Sequence, residues 1–510
     1  MMRTIIRILE SILKWALRST ERRPRGFQLN IENRFQEFAK KISVVLLNGV
    51  LLLAVPACES VNLGRDTMKT KAAVTISPQE LRQTMAGFGV SSRVWDDPHV
   101  SNAGSASVPT AAQEKILTLL FTDLGLTRLR SVLDGGVEPI NDNADPTAFD
   151  WTKFHFEWKR NDAHINLVEQ ARAKGLTTFF VSPVKLEAWI TEDNPDEYVE
   201  WALAILLRWR ARGVELPYFS VINEPGYKRS RIWSAEWTRT VVKRLGARMR
   251  MEGLRTMLVI PDDLNPGEAY KRASVVLGDP ETRRYVGALA YHLYDTKESE
   301  LARDLVHMRN LGTEYGIPIW MTEFSVQNDT TFSGAMEWIK VIHKLVATYN
   351  VSAVDHMWGF FGSWENNHTI LSIEFLDGQY AQHHVGPLYY LTGQFSKFVR
   401  PGQVRIESHS SSQDLLVTAY KSGVQFVIVA INAGHEDRRV DVTVTDAAAP
   451  LRFSAIRTTA REFWNELVPI ATDTSTFSVA LPAQSVTTFR GGSVDSAGSL
   501  SDVAMKKSAQ

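Results

Sequence analysis

Two glutamates stand at the ends of short apolar runs. Glu224 follows Leu216-Pro-Tyr-Phe-Ser-Val-Ile222, inside Ile222-Asn-Glu-Pro225, and Glu323 follows Ile317-Pro-Ile-Trp-Met321, inside Trp320-Met-Thr-Glu-Phe324. A strand that gives way to a loop at such a point offers its carboxylate at the strand end. Two carboxylates delivered in this way into one cleft are the minimum needed to cleave a glycosidic bond. They lie 99 positions apart, so the fold must bring them together. Pro225 favours an extended Glu224 and a prompt turn behind it, and Asn223 could still reach a sugar hydroxyl. Asn-Glu-Pro alone could equally punctuate a loop. The run ahead of Glu323 reads as buried, which makes a chance surface glutamate a poor account of that position.

Other residues could support such a pair. Arg130 ends an apolar run and could donate to a nucleophilic carboxylate, keeping it ionised and oriented. Tyr291, His292 and Tyr294 cluster after another run; one of them could bond the nucleophile, with core or rim roles open for each. Trp189, Trp358 and Trp364 are candidate walls for a pyranose ring, packing being the alternative for each. Residues 134–150 and 361–368 would form the rim. His383-His384 lacks a third spaced ligand, so no metal is expected there, and no cofactor is called for.

The elements that must position these residues alternate. Candidate strands cover 86–91, 127–131, 177–182, 216–222, 256–260, 286–291, 317–321 and 353–358, with helical periodicity between most of them. Trp233, Trp237, Val241, Leu245 and Met249 recur at intervals of four and describe one buried helix face. Pro195-Asp-Glu197 opens another helix. Gly87 and Gly89, in the first strand region, suggest close backbone approach. This α/β alternation of eight strands with helices fits a (β/α)8 TIM barrel, whose active sites lie at the C-terminal strand ends. Strands four and seven sit on opposite sides of the barrel mouth, so Glu224 and Glu323 can meet across it. No Gly-rich dinucleotide or P-loop turn follows the early strands. Beyond Pro401-Gly402 the texture changes to short Val-, Ile-, Thr- and Phe-rich runs, the pattern of a small β-sandwich side domain.

The resulting domain reading is an N-terminal extension with an export signal over 1–58, a linker running into a first strand over 59–77, the barrel over 78–400, the sandwich over 401–491 and a disordered tail over 492–510. Lys plus Arg equals Asp plus Glu at 57 each, so charge gives no support for nucleic-acid binding. Cys58 is the only cysteine, which excludes internal disulfides and cysteine metal clusters. It follows Lys40-Lys41, the apolar run 42–55 and Pro56-Ala57, the layout of an export signal. This stretch resembles a bacterial lipoprotein signal with Cys58 as the lipidated residue. Pro56 departs from that pattern and leaves ordinary signal-peptide cleavage open. A monomer, secreted or periplasmic or anchored to the outer surface, is expected.

Taken together, the chain resembles glycoside hydrolase family 30, in the clan of retaining barrel glycosidases. The resemblance rests on Ala86-Gly-Phe-Gly89, Leu129-Arg130, Ser182-Pro183 with Ala188-Trp189, Asn223-Glu-Pro225, Tyr291-His-Leu-Tyr294 and Thr322-Glu323, with Phe395-Ser-Lys-Phe-Val-Arg-Pro-Gly402 at the passage to the side domain. It implies Glu224 as acid/base, Glu323 as nucleophile, Asn223 on the sugar 2-hydroxyl, Arg130 holding the nucleophile and Trp189 lining the −1 site. It also implies a sandwich closed in part by a strand from before the barrel, near Ala72 to Ile76. Val184 replaces a proline usual in the family, and Lys185-Leu-Glu187 intervenes before Ala188-Trp189, adding Glu187 as an extra acid. The expected activity is retaining hydrolysis of a β-linked poly- or oligosaccharide, with endo action on xylan or a β-1,6-glucan or galactan favoured. An exo-acting β-glycosidase, a transglycosidase and a non-catalytic carbohydrate-binding protein are the alternatives.

Overall fold

The computed structural model describes residues 70–97, 100, 108–157, 161–228, 231–325, 329–362 and 369–493. The expectations for the leader, Cys58, Trp364 and residues 494–510 lie outside them. Among the described residues no helix is long and apolar enough to cross a membrane.

The chain enters through a 15-residue strand, β1 (Thr70–Thr84), and passes almost directly into the barrel. The barrel strands are β2 (Gly87–Ser92), β3 (Arg128–Leu133), β4 (Thr178–Pro183), β5 (Tyr218–Ser220), β6 (Met257–Asp263), β7 (Val286–His292), β8 (Ile319–Glu323) and β9 (Val351–His356). All pair in parallel, and β9 closes on β2 from Gly87–Ala353 to Val90–His356. Helices α1 (Thr110–Leu117), α2 (Asn161–Arg172), α3 (Pro195–Ala211), α4 (Ala235–Met251), α5 (Pro266–Gly278), α6 (Glu298–Tyr315) and α7 (Phe332–Tyr349) lie between the strands.

The helices start where the sequence places start signals. Pro195 opens α3 with Asp196 and Glu197 in its first turn, where acids suit the positive helix end. Ser234 caps α4 by accepting from the Trp237 amide at 3.1 Å, and Trp237, Val241, Leu245 and Met249 form the buried face. After β9 a small sheet of β10 (Trp358–Phe361), β11 (Thr369–Leu376) and β12 (Gln379–Val385) precedes α8 (Pro387–Ser396).

The side domain holds β13 (Val404–Ser410), β14 (Leu415–Ser422), β15 (Gln425–Asn432), β16 (Arg438–Val444), β17 (Leu451–Thr458), β18 (Asn465–Glu466), β19 (Ile470–Thr472), β20 (Thr476–Leu481) and β21 (Ser485–Ser493). It is one continuous sheet curled on itself, ordered β18-β17-β21-β15-β14-β13-β1-β16-β20, with β19 on β17. Phe477 on β20 meets Phe453 on β17 at 5.1 Å and Phe489 on β21 at 5.6 Å, so strands from opposite ends of the path close over one core. Strand β1 sits inside this sheet, antiparallel to β13 and parallel to β16. Its register runs on to Thr84, past residue 77, and β21 pairs through Ser493, past residue 491. The outer face contributes Tyr420, Val427, Val429, Ile431 and Val486 to the barrel's own core, and Trp464 donates to the Tyr390 carbonyl of α8 at 2.7 Å.

Candidate active site

The barrel interior is layered by strand alternation. Phe180, Val259, Ala288, Ala290, Trp320 and Ala353 form an apolar layer. Beside it Arg128 pairs bidentately with Asp355 at 2.9 and 3.0 Å, its guanidinium 4.1 Å from the Trp320 ring centre. A side chain at Gly89 would bring its Cβ within 2.4 Å of both partners, so this pair needs glycine there. Two residues further along each strand, the same inward face carries Ser182, Ser220, His292 and Thr322, and Arg130 follows Arg128 in the same way.

Asp262 joins this polar layer out of step. The β6–β7 pairing shifts register between Pro261 and Asp263, and Asp262 takes a left-handed φ of 57°. The bulge turns its carboxylate inward. Its Oδ2 accepts from Arg130 at 3.1 Å, Ser182 at 2.6 Å and Ser220 at 3.0 Å, and its Oδ1 from Thr322 at 2.6 Å and His292 Nε2 at 3.2 Å. Burial opposes ionisation of Asp262. The Arg130 guanidinium, His292 and the Ser182 hydroxyl outweigh it and hold the carboxyl well below the usual carboxylate range.

Arg130 is fully buried and fans out across the mouth. It donates to Glu323 at 2.7 Å, Ser91 at 3.2 Å, Ser182 at 3.0 Å, Asp262 and the Asn223 side-chain oxygen. His292 Nδ1 faces Glu224 Oε1 at 2.9 Å. Burial lowers the affinity of His292 for its proton, but the Glu323 charge and its bonds to Asp262 and Glu224 reverse that, pushing its pKa up to about 10. The ring is therefore an imidazolium at neutral pH and donates from both nitrogens. One carboxylate oxygen of Glu224, one of Glu323 and a ring nitrogen of His292 lie within 4.8 Å of one another. The trio has the spacing of a metal site, and the two His292 ring nitrogens face the Glu224 and Asp262 carboxylates. Arg130, Asp262 and His292 have fully buried side chains, whereas Glu323 and Glu224 keep 11% and 13% of theirs exposed, so the two glutamates face the cleft.

Glu224 itself differs from expectation. It adopts φ 47°, in the left-handed region, rather than an extended backbone. Its amide donates to the Asp262 carbonyl at 2.9 Å and its carbonyl accepts from the Tyr227 amide at 2.9 Å, which fix a conformation costing of order 1–3 kcal/mol. The turn is imposed by the neighbouring bulge, a tertiary constraint that Pro225 does not encode.

No family model matches the chain. It is 27% identical to the glucuronoxylanase XynC of Bacillus subtilis over 288 residues, 54% of this chain and 61% of that protein. It is 25% identical to putative glucosylceramidase 1 of Caenorhabditis elegans over 427 residues, 74% of this chain and 79% of that one. An endo-1,6-β-D-glucanase of Neurospora crassa is 22% identical over 433 residues, 78% of this chain and 86% of that one. Among solved structures, a family 30 endoxylanase of Clostridium papyrosolvens superposes with a TM-score of 0.65 at 23% identity, covering 82% of this chain and all of its own. That structure, at 23% identity, shows a shared fold. The chain spans about three fifths of the xylanase relative's length.

Within this barrel, Glu224, Glu323, Asn223, Arg130 and His292 converge. Tyr294 stands beside them: its ring meets His292 edge-on at 6.0 Å, and burial together with the Glu323 charge pushes its hydroxyl well up from the ordinary value. Trp189 is half-buried at the mouth, its indole nitrogen donating to the Glu138 carbonyl at 2.9 Å. Two expectations need correction. Tyr291 is fully buried in the layer between barrel and helices, because its neighbour His292 takes the inward position. Trp358 begins β10 rather than ending the eighth barrel strand; it is 7% exposed, with Arg93 and Phe361 5.3 and 5.6 Å from its ring. Glu187 is a structural acceptor, taking the Gly136 and Glu138 amides at 2.6 and 3.1 Å and the Trp201 indole at 3.3 Å. His383 and His384 pair with Tyr380 and Glu374, each at 2.8 Å.

Asp262 was not legible in the sequence. It sits past the end of the apolar run 256–260, and only the doubled Asp262-Asp263 at a fifth strand end hinted at it.

Proposed function

We propose that this chain is a member of glycoside hydrolase family 30 and a retaining enzyme acting on a β-linked polysaccharide of the xylan or β-1,6-glucan type. The observation that carries the reading is the approach of Glu224 and Glu323 to within 4.8 Å, near the 5–5.5 Å spacing of retaining pairs and short of the 6.5–9.5 Å that inversion needs for an intervening water. The names of the relatives support the substrate class.

In the first step a Glu323 oxygen bonds to the anomeric carbon as the glycosidic C–O bond breaks, and Glu224 gives its proton to the departing oxygen. In the second, Glu224 takes a proton from water, the water oxygen bonds to the anomeric carbon and Glu323 leaves. Arg130 orients Glu323 and sets a positive charge beside it through the 2.7 Å bond. The retaining mechanism needs Glu224 to carry the transferable proton, and His292 lies against its Oε1 at 2.9 Å, which leaves Oε2 for the departing oxygen. Asn223, oriented by Arg130, presents its amide to the sugar 2-hydroxyl.

The same reading puts the enzyme outside the cytoplasm, supported by Lys40-Lys41, the apolar run 42–55 and Cys58. The test is Glu323→Gln and wild type on xylan, β-1,6-glucan and an aryl β-glycoside, with the anomeric configuration of the first product followed by NMR. The variant is expected to fold with turnover reduced at least 10³-fold, and the wild type to release the β-anomer. A product of inverted configuration, or a variant near wild-type activity, refutes the proposal.

A further inference from the structure

We propose that Asp263 and Arg272, a buried ion pair outside the catalytic cluster, are positioning residues for proton donation. They clamp the loop behind Glu224, so that cleavage depends on the pair in proportion to the leaving group's need for a proton. The inference rests on the glycosidase reading above and deepens it.

The bulge that turns Asp262 into the barrel leaves its neighbour Asp263 facing the other way, toward α5. The Asp263 carboxylate is fully buried. Its Oδ1 accepts from the Gly226 amide at 3.0 Å and the Leu264 amide at 2.9 Å, and its Oδ2 from Arg272 Nε at 3.0 Å. Arg272, on α5, also donates to the Trp233 carbonyl at 2.5 Å and reaches the Thr238 hydroxyl at 3.5 Å. The Trp233 amide in turn donates to the Pro225 carbonyl at 2.9 Å. These bonds close a ring through Gly226, Pro225, Trp233, Arg272 and Asp263, around the residues that directly follow Glu224.

Glu224 needs such a hold. Its left-handed backbone is costly, and the two residues behind it are each pinned by one bond of the ring. The two adjacent acids at the end of β6 thus bracket it: the Asp262 carbonyl takes the Glu224 amide, and the Asp263 carboxylate takes the Gly226 amide. A Cβ at Gly226 would lie 3.0 and 3.3 Å from the two Asp263 oxygens, so the carboxylate is seated about as close as glycine allows. Glu323 is held from elsewhere, by Arg130 on β3. The clamp therefore bears on the acid/base and not on the nucleophile.

Stability alone does not account for the pair, because a buried ion pair adds little over apolar residues of the same volume. Alignment does. A displacement of about 1 Å in a reacting group costs about 10²-fold in rate, and here the displaced group is the one that protonates the departing oxygen. A leaving group that departs as a stable anion does not need that proton. A loosened clamp should therefore cost most where the departing oxygen is most basic.

The test measures kcat/KM of the wild type, Arg272→Gln and Gly226→Ala on two aryl β-glycosides of the same disaccharide, one releasing dinitrophenolate and the other methylphenolate, in a xylobiose and a β-1,6-linked diglucose series. Dinitrophenolate departs without a proton; methylphenolate needs one. Each variant is expected to lose at least tenfold more on the methylphenyl glycoside than on the dinitrophenyl one. A variant that merely contained less folded enzyme would lose equally on both. Gly226→Ala leaves the buried pair whole and crowds only its contact with the loop, so it decides the matter if Arg272→Gln does not fold. A tenfold excess in either folded variant sustains the inference, and a smaller excess, equal losses or no loss in every folded variant overturns it. A wild type inactive on every glycoside refutes the glycosidase reading and the inference with it, whereas equal losses in variants of an active wild type overturn the inference alone.

Discussion

Replacing Asp262 by Asn tests the hub beneath the two glutamates. Asn keeps one acceptor oxygen, so one side of the former carboxylate must now present NH2. On the Oδ2 side that group would face the Arg130 guanidinium, a donor that cannot give up its proton. It must therefore turn to the Oδ1 side, where the Thr322 hydroxyl can rotate and His292 can shed a proton to become an acceptor. With the Asp262 charge gone while the Glu323 charge and the Glu224 bond remain, the His292 pKa is expected to fall below its wild-type value of about 10. Truncating one partner of a buried pair costs roughly 3–5 kcal/mol, and the retained oxygen reduces this to about 2–4 kcal/mol. With Glu224 and Arg130 less firmly held, kcat should drop about 10²-fold, or about 2.7 kcal/mol. The assay is imidazole NMR of histidine-labelled protein across pH 5–10, with the His292 resonance assigned from His292→Gln, alongside kcat on an aryl β-glycoside and thermal unfolding. A variant whose His292 titrates as in the wild type, or whose kcat and unfolding temperature match wild type, refutes the assignment of Asp262 as the charge that organises the site.

Tyr291→Phe should leave kcat within twofold and stability unchanged or raised by about 1 kcal/mol, because the buried Tyr291 hydroxyl has no hydrogen-bond partner among the described residues; a large loss of activity would restore it to the site. Glu138 and Glu200 are fully buried, and burial with neighbouring acids pushes both up to about 8. Each is neutral when folded and ionised when unfolded between about pH 4.5 and 8, so unfolding releases protons and stability should fall as pH rises through that window. Glu200→Gln should flatten the slope and stabilise the protein at pH 8 by roughly 1–3 kcal/mol, read by denaturant unfolding at pH 5 and pH 8; an unchanged slope would contradict this.

The barrel was legible because its strands are short apolar runs separated by helical periodicity, and both glutamates because each ends such a run. The parity of individual side chains was harder to read. Tyr291 and His292 are adjacent, and which one faces inward depends on the register of β7 against β8, which itself shifts at this point. Trp358 reads as the end of an apolar stretch, yet the chain breaks at Met357, whose amide bonds to the Phe324 carbonyl at 2.9 Å, and starts a new strand. Asp262 depends on a bulge, and a bulge is decided by what neighbouring strands require rather than by its own sequence. The sandwich expectation was right about strand content, but no periodicity distinguishes two stacked sheets from one sheet rolled until its ends touch.

Strand β1 gives the protein an architecture that resists dissection. The side sheet is complete only with a piece of chain synthesised before the barrel, while every other strand of that sheet is synthesised after it. Cutting the gene near residue 401 would give a C-terminal fragment with a gap between β13 and β16, exposing two unpaired edges, and an N-terminal fragment carrying an orphaned strand at its start. Neither half is a free-standing module. An exchange of side domains between relatives would need two crossovers, one on each side of the barrel, so the pair is expected to be inherited and to unfold as a unit.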